Sequence, residues 1–147
     1  MAEVAFHFNV PERTAYTCRL LRKVWRSGQR AHVAVDAAEM HALDMALWTF
    51  APDEFLPHAT QHAPAHVLAR SPVVLADADV VAPAGAIWVN LLPHVPAAWL
   101  AAPPGQRIIE VVTQDEADRR GARQRWREYT AQGHQLVRHD LAAPQTT

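Results

Sequence analysis

An α/β domain built on a mostly parallel sheet is what this sequence predicts, and three observations carry that reading. Short runs of β-branched and aromatic residues alternate with longer stretches of helical period, the pattern of parallel strands joined by crossovers. The chain has 147 residues, half of them hydrophobic, enough for one buried core and too few for two. Its charge is nearly balanced, 14 Lys and Arg against 15 Asp and Glu, so no overall field steers it toward nucleic acid or a membrane. The single cysteine, Cys18, excludes an internal disulfide framework and any cysteine-rich zinc site. No apolar run approaches the roughly eighteen residues of a membrane span. The acidic start, Met1-Ala2-Glu3, is unlike a signal peptide, so a cytoplasmic protein is expected.

Element by element, Glu3–Phe8 is the first strand. Asn9 is read as the cap of the following helix, with Pro11 near its first turn. Cys18, Leu21, Val24 and Trp25 recur every three or four residues along that helix, which ends near Gly28. Ala31–Val35 is a second strand, and Asp36 caps a helix from Ala37 to Phe50 with Met40, Leu43 and Leu47 on its buried stripe. The middle of the chain is interrupted by Pro52, Pro57 and Pro64 and reads as a solvated loop. Strands resume at Val73–Ala76 and Ile87–Leu91. A proline-punctuated loop then encloses a short Ala97–Ala102 segment. Arg107–Val112 reads as a buried strand and Asp115 to Gln132 as a capped helix ending at Gly133. Gln135–Arg138 follows as an edge strand. One domain spans 1–141, and the tail 142–147 is expected to fray.

Open α/β sheets often bind nucleotides, yet the first strand runs into Asn9-Val10-Pro11-Glu12-Arg13 without a glycine-rich turn. A backbone with side chains there cannot approach a pyrophosphate closely. A nucleotide-binding α/β enzyme would therefore need an atypical phosphate site. His58, His62 and His66 stand four apart, the spacing for one helical face, but Pro57 and Pro64 break such a helix and no carboxylate lies among them. Ser27 falls at a helix end rather than on a nucleophile elbow, and Cys18 lies on an apolar face, the place of an inert core thiol. Asp53-Glu54 and Asp115-Glu116 lie at helix starts or turns, where acids suit the dipole. No catalytic set, cofactor or metal is expected.

Two surface features remain. Arg119, Arg123 and Arg127 repeat at i, i+4 and i+8 and so stack on one face of the last helix. Arg120 and Arg125 flank them, and Trp126 lies beside Arg127. Residues 119–138 hold six Arg and one acid, Glu128, within a chain of net charge −1. Pairs Asp115–Arg119 and Glu116–Arg120 would occupy two of these cations and leave Arg123 and Arg127 without acids four residues earlier. An Arg ridge beside an indole and the strand edge at Val111 and Val112 suits an acidic peptide with an apolar anchor. It suits bare single-stranded DNA less, since only one aromatic is available for stacking. The second feature is Leu47-Trp48-Thr49-Phe50 leading into Phe55-Leu56-Pro57-His58, apolar bulk of the kind enriched at interfaces.

With Cys18, Trp25-Arg26-Ser27-Gly28-Gln29-Arg30, Leu43-Asp44, Ala46-Leu47-Trp48, Phe55-Leu56-Pro57-His58, Val89-Asn90-Leu91 and Arg123-x-Arg125-Trp126-Arg127-x-Tyr129 before Gly133, the chain resembles the chi subunit family of bacterial DNA polymerase III. These are accessory proteins of the clamp-loader complex. Each motif is short; their ordered succession from residue 3 to about 139 is more specific. The resemblance implies a non-enzymatic, Rossmann-like three-layer domain without a phosphate-binding loop. It also implies two partners. The acidic, Phe-terminated tail of single-stranded DNA-binding protein would be clamped by Arg123, assisted by Arg119 and Arg127, with Trp126 and Val112 lining the pocket of its terminal Phe. The psi subunit, which links chi to the clamp loader, would meet Trp48 and Phe55, and an accessory helicase is expected to compete for that patch in some bacteria. Thr130 stands where relatives can carry another basic residue, and Trp126 where they can carry Tyr. Ala59–Arg70 matches nothing in that family pattern.

Overall fold

The structure, a computed structural model, describes residues 1–51 and 53–142. Pro52 and most of the tail expected to fray lie outside these residues. Seven parallel strands form one sheet: β1 (Glu3–Val10), β2 (Ala31–Ala34), β3 (His58–Thr60), β4 (Val73–Ala76), β5 (Ile87–Asn90), β6 (Arg107–Thr113) and β7 (Gln135–Asp140). Their order across the sheet is β3-β4-β2-β5-β6-β1-β7. Four helices connect them, α1 (Arg13–Arg26), α2 (Ala37–Thr49), α3 (Ala65–Arg70) and α4 (Glu116–Ala131), with a 3-10 turn at Ala97–Ala101. This is the α/β domain that the alternation predicts, in the three-layer, Rossmann-like form that the family resemblance implies, with every strand pair parallel.

The central strands explain why the sheet is covered on both sides. β2 and β5 are buried along their whole length, as parallel strands between two helical layers must be. On one face Val33, Leu75, Val89, Ile109 and Val111 pack against Cys18, Leu21, Val24, Leu43 and Leu47 of α1 and α2. On the other, Val4, Phe6, Trp88, Ile108 and Val112 pack against Ala122 and Tyr129 of α4 and Trp99 of the 3-10 turn. Cys18 is buried in the first cluster, where desolvation pushes its thiol up to about 11, away from reactivity.

Two local expectations are corrected. Asn9 does not cap α1: it belongs to β1 with φ of 61°, at a register shift between His7 and Val10, and donates to the Asp140 carboxylate at 2.7 Å. Asn tolerates this left-handed backbone better than most side chains. Glu12 is the cap instead, its carboxylate accepting from the Thr14 and Ala15 amides. The middle of the chain is not one loop, because β3 and α3 form within it. His58 then lies on β3, His62 in the turn after it and His66 on α3, so the three share no helical face. Among the described residues no cluster of three potential metal ligands exists. Glu54, read as a turn acid, ties the loop before β3 to α1 by accepting from Arg22 and Arg26.

Candidate functional site

The site begins with what orients α4. Its buried stripe is Ala122, Arg125 and Tyr129, spaced i, i+3, i+7, so a charged residue occupies an apolar position. Arg125 is 2% exposed. Its Nε donates to Oε1 of Glu110 on β6 at 2.8 Å, and its Nη1 donates to the Pro93 carbonyl at 3.0 Å. The other Glu110 oxygen accepts from Tyr129 Oη and Asn90 Nδ2, both at 2.8 Å. Burial pushes the Glu110 carboxyl up, and the Arg125 guanidinium beside it opposes that shift. Burial and the Glu110 charge push the Tyr129 phenol well up. Thus Arg125, expected to flank the exposed ridge, is a core residue that bolts α4 to β6. Gly121, one turn earlier, leaves the room: a Cβ there would come within 3.2 Å of Arg125 Nη1.

With Arg125 turned inward, Arg119, Arg123 and Arg127 are left exposed on α4. The expected Asp115–Arg119 and Glu116–Arg120 ion pairs do not form: Asp115 caps the helix by accepting from the Asp118 amide. Among the described residues none of the three ridge arginines is in an ion pair, though Arg127 donates to the Gln124 side chain at 2.9 Å. They surround a cavity of about 390 Å³ whose other walls are Phe8, Trp126 and Arg138. Trp126 rests on Phe6 and Phe8, with ring centroids 5.1 and 6.4 Å apart. The Arg138 guanidinium lies 4.9 Å above the Phe8 ring, a cation–π contact that holds the cation at the rim. Four cations therefore surround two aromatic rings.

Arg119, Arg123, Trp126 and Arg127 thus meet in one cavity. Val112, the fifth residue expected there, is fully buried beneath α4 and does not line it. Phe8 and Arg138 were not singled out by sequence. Their only signal is strand alternation, which places even-numbered residues of β1 and β7 on the α4 side once those strands are paired.

Trp48 and Phe55 meet elsewhere. Their rings are 5.2 Å apart and both are more than half exposed. Met45, one turn before Trp48, is exposed to a similar degree. His58 stands behind them, its ring edge-on to Trp48 at 4.9 Å, its Nδ1 2.8 Å from the Leu56 carbonyl and its Nε2 3.1 Å from Asp44 Oδ1. Together they leave an exposed apolar patch on this face.

A nucleotide has no obvious seat at the carboxyl ends of the strands, where doubly wound sheets hold their ligands. That crevice is lined by Asp36, Asp115 and Asp118 with Arg13, an excess of acid that repels phosphate. Fold and surface define a doubly wound α/β domain that presents a cationic–aromatic cleft and an apolar patch. The sequence model of the family described as DNA polymerase III chi subunit, HolC, matches residues 1–137. The chain is also 32% identical over 130 residues to DNA polymerase III subunit chi of Pseudomonas aeruginosa, which covers 88% of this chain and 87% of that protein. The chain belongs to the DNA polymerase III chi subunit family. Its role is that of an accessory subunit in DNA replication, in association with the polymerase holoenzyme. No described helix is long and apolar enough to cross a membrane.

Proposed function

We propose that the chain is a non-catalytic adaptor that binds the acidic C-terminal tail of single-stranded DNA-binding protein and links it, through the psi subunit, to the clamp loader. The observation that carries this reading is the α4 cavity, in which Arg119, Arg123, Arg127 and Arg138 ring the faces of Phe8 and Trp126. Guanidinium groups take carboxylates in two-point geometry, so a chain end with a free carboxylate and neighbouring acids matches the rim. An aromatic terminal side chain matches the rings below. Arg123 is the central clamp, flanked one turn away by Arg119 and Arg127. The psi subunit would cover Trp48 and Phe55, whose exposure in the isolated chain leaves apolar area for a partner to bury.

The test is fluorescence anisotropy of a labelled acidic peptide ending in Asp-Ile-Pro-Phe, first with a free and then with an amidated C-terminus. Binding that weakens with salt and is abolished by amidation is expected, since exposed charge pairs are screened and amidation removes the clamped group. Absence of binding by either peptide at tens of micromolar, roughly 6–7 kcal/mol, overturns the reading.

A further inference from the structure

A further cavity belongs to neither of these surfaces. It is a groove of about 580 Å³ on the opposite face of the sheet from α4, between α1 and the strands β6, β1 and β7. It exists because α1 packs toward β2 and β6 and leaves β1 and β7 uncovered on that side. Its floor is apolar, formed by Ala5, Ile109 and Val137 with Leu20 at the helix side. Parallel register sets Ala5 beside Val137 and His7 beside His139.

Around this floor the charges are asymmetric. Arg19 and Lys23, one turn apart on α1, and Arg107 on β6 line the groove, and among the described residues none is in an ion pair. Arg19 lies over the Tyr16 ring at 5.8 Å. The acids are at the two ends, Glu3 at one and Asp140 at the other, where the Asn9 amide donates to Asp140. Between the ends three rings converge: His7 Nδ1 is hydrogen-bonded to Tyr16 Oη at 2.5 Å, and the His7 and His139 rings stand 5.0 Å apart. Burial, with His139 and Lys23 nearby, pushes His7 down to about 4, so its imidazole is neutral at pH 7. A neutral imidazole engaged at Nδ1 keeps Nε2 as one further polar contact for a ligand.

We propose that this groove binds a small organic anion carried on a flat ring, the chemistry of a nucleoside monophosphate. The ring lies on the Ala5–Val137 floor beside Tyr16 and His7, and the phosphate meets Arg19 and Lys23. The acidic crevice at the strand ends offers no such match, and the α4 cavity lies on the other side of β7, so the site is separate from the one that carries the adaptor reading.

The full-length protein, labelled with 15N, is titrated with adenosine monophosphate, adenosine and inorganic phosphate in parallel. Adenosine monophosphate is expected to bind and to move the amide signals of Ala5, His7 and Val137, with adenosine and phosphate each at least about tenfold weaker because each lacks one half of the match. Arg19→Ala and Lys23→Gln should each weaken adenosine monophosphate by about tenfold, the loss of one charge-assisted contact. Both residues are exposed, so these variants keep the fold, and binding of the acidic peptide at α4 serves as the control that should not change. Phosphate binding as tightly as adenosine monophosphate would reduce the groove to a patch of positive charge and overturn the proposal. Equal binding of adenosine, or no binding of adenosine monophosphate up to about 5 mM, roughly 3 kcal/mol, overturns it as well.

Discussion

Glu110 and Arg125 are the residues on which the rest depends. A guanidinium and a carboxylate, both desolvated, are held by four hydrogen bonds among Arg125, Glu110, Tyr129, Asn90 and Pro93. A fifth, which Asn90 donates to the His94 carbonyl, fixes the amide that serves Glu110. Such a group contributes little net stability when complete, but removing one partner strands the other. Arg125→Ala should therefore cost about 3–5 kcal/mol in urea unfolding. A loss below about 1 kcal/mol would show that Glu110 is not ionised there. Gly121→Ala should be destabilising as well, despite the better helix propensity of Ala, because its Cβ crowds Arg125 Nη1. His32 supplies a pH dependence. It is buried on β2 with no partner for Nε2 among the described residues, and desolvation pushes it down to about 4 from 6.5. Below pH 6.5 the unfolded chain takes up a proton there that the folded chain refuses until about pH 4, so stability falls through that window as pH drops. His7 adds in the same direction. The midpoint of urea unfolding should move down between pH 7.5 and pH 5, with an unfolding free energy lower by about 2 kcal/mol from His32 alone. His32→Asn should reduce that difference, and an unchanged midpoint in the parent protein would contradict the neutral, buried imidazole.

At the scale of elements, α4 serves two surfaces with one sequence. Ala122, Arg125 and Tyr129 face the sheet, while Arg119, Arg123 and Arg127 line the cavity and Arg120 lies outside it. Arg123→Ala should weaken the acidic peptide by about 1–3 kcal/mol, the range for a hydrogen bond to a charged group, and flatten its salt dependence. Arg120→Ala should change it by less than about 0.5 kcal/mol, as expected of an exposed charge with no direct contact. Equal losses at both positions would mean that the helix acts through its total charge and not through the cavity. The ridge was legible in the sequence because i, i+4, i+8 spacing needs no tertiary information. Arg125 was not: its place in the stripe 122, 125, 129 shows only when a charge is allowed at a core position, and its partner Glu110 lies on another element. Phe8 and Arg138 were hidden for a related reason, since their convergence depends on β1 pairing with β7. The long strands and α1, α2 and α4 carry enough periodic residues to declare themselves. β3 has three residues and α3 six, none of the latter buried, so neither builds a pattern that outweighs Pro57 and Pro64.

Across the whole molecule the two surfaces occupy opposite ends of the sheet. Trp48 and Phe55 lie beside β3, at one edge, and the cationic cavity is built on β7, at the other. Six strand intervals of about 4.8 Å separate those edges by roughly 29 Å. Between them stands the parallel sheet, covered on both faces at its central strands, and no described side-chain contact runs from one surface to the other. Groups that far apart, with no shared partner, act independently to within about 0.5 kcal/mol. The proposed adaptor role would be served by that separation, because neither partner would displace or screen the other. Anisotropy of the labelled tail peptide should therefore give the same affinity with the psi subunit absent or saturating. Phe55→Ala or Trp48→Ala should weaken psi and leave the peptide unchanged, and Arg123→Ala should do the reverse. The double variant Trp48→Ala/Arg123→Ala should show the two single losses and nothing more. A shift of peptide affinity beyond about threefold on adding psi would mean that the sheet transmits a conformational change and that the two surfaces are coupled, not merely carried on one scaffold.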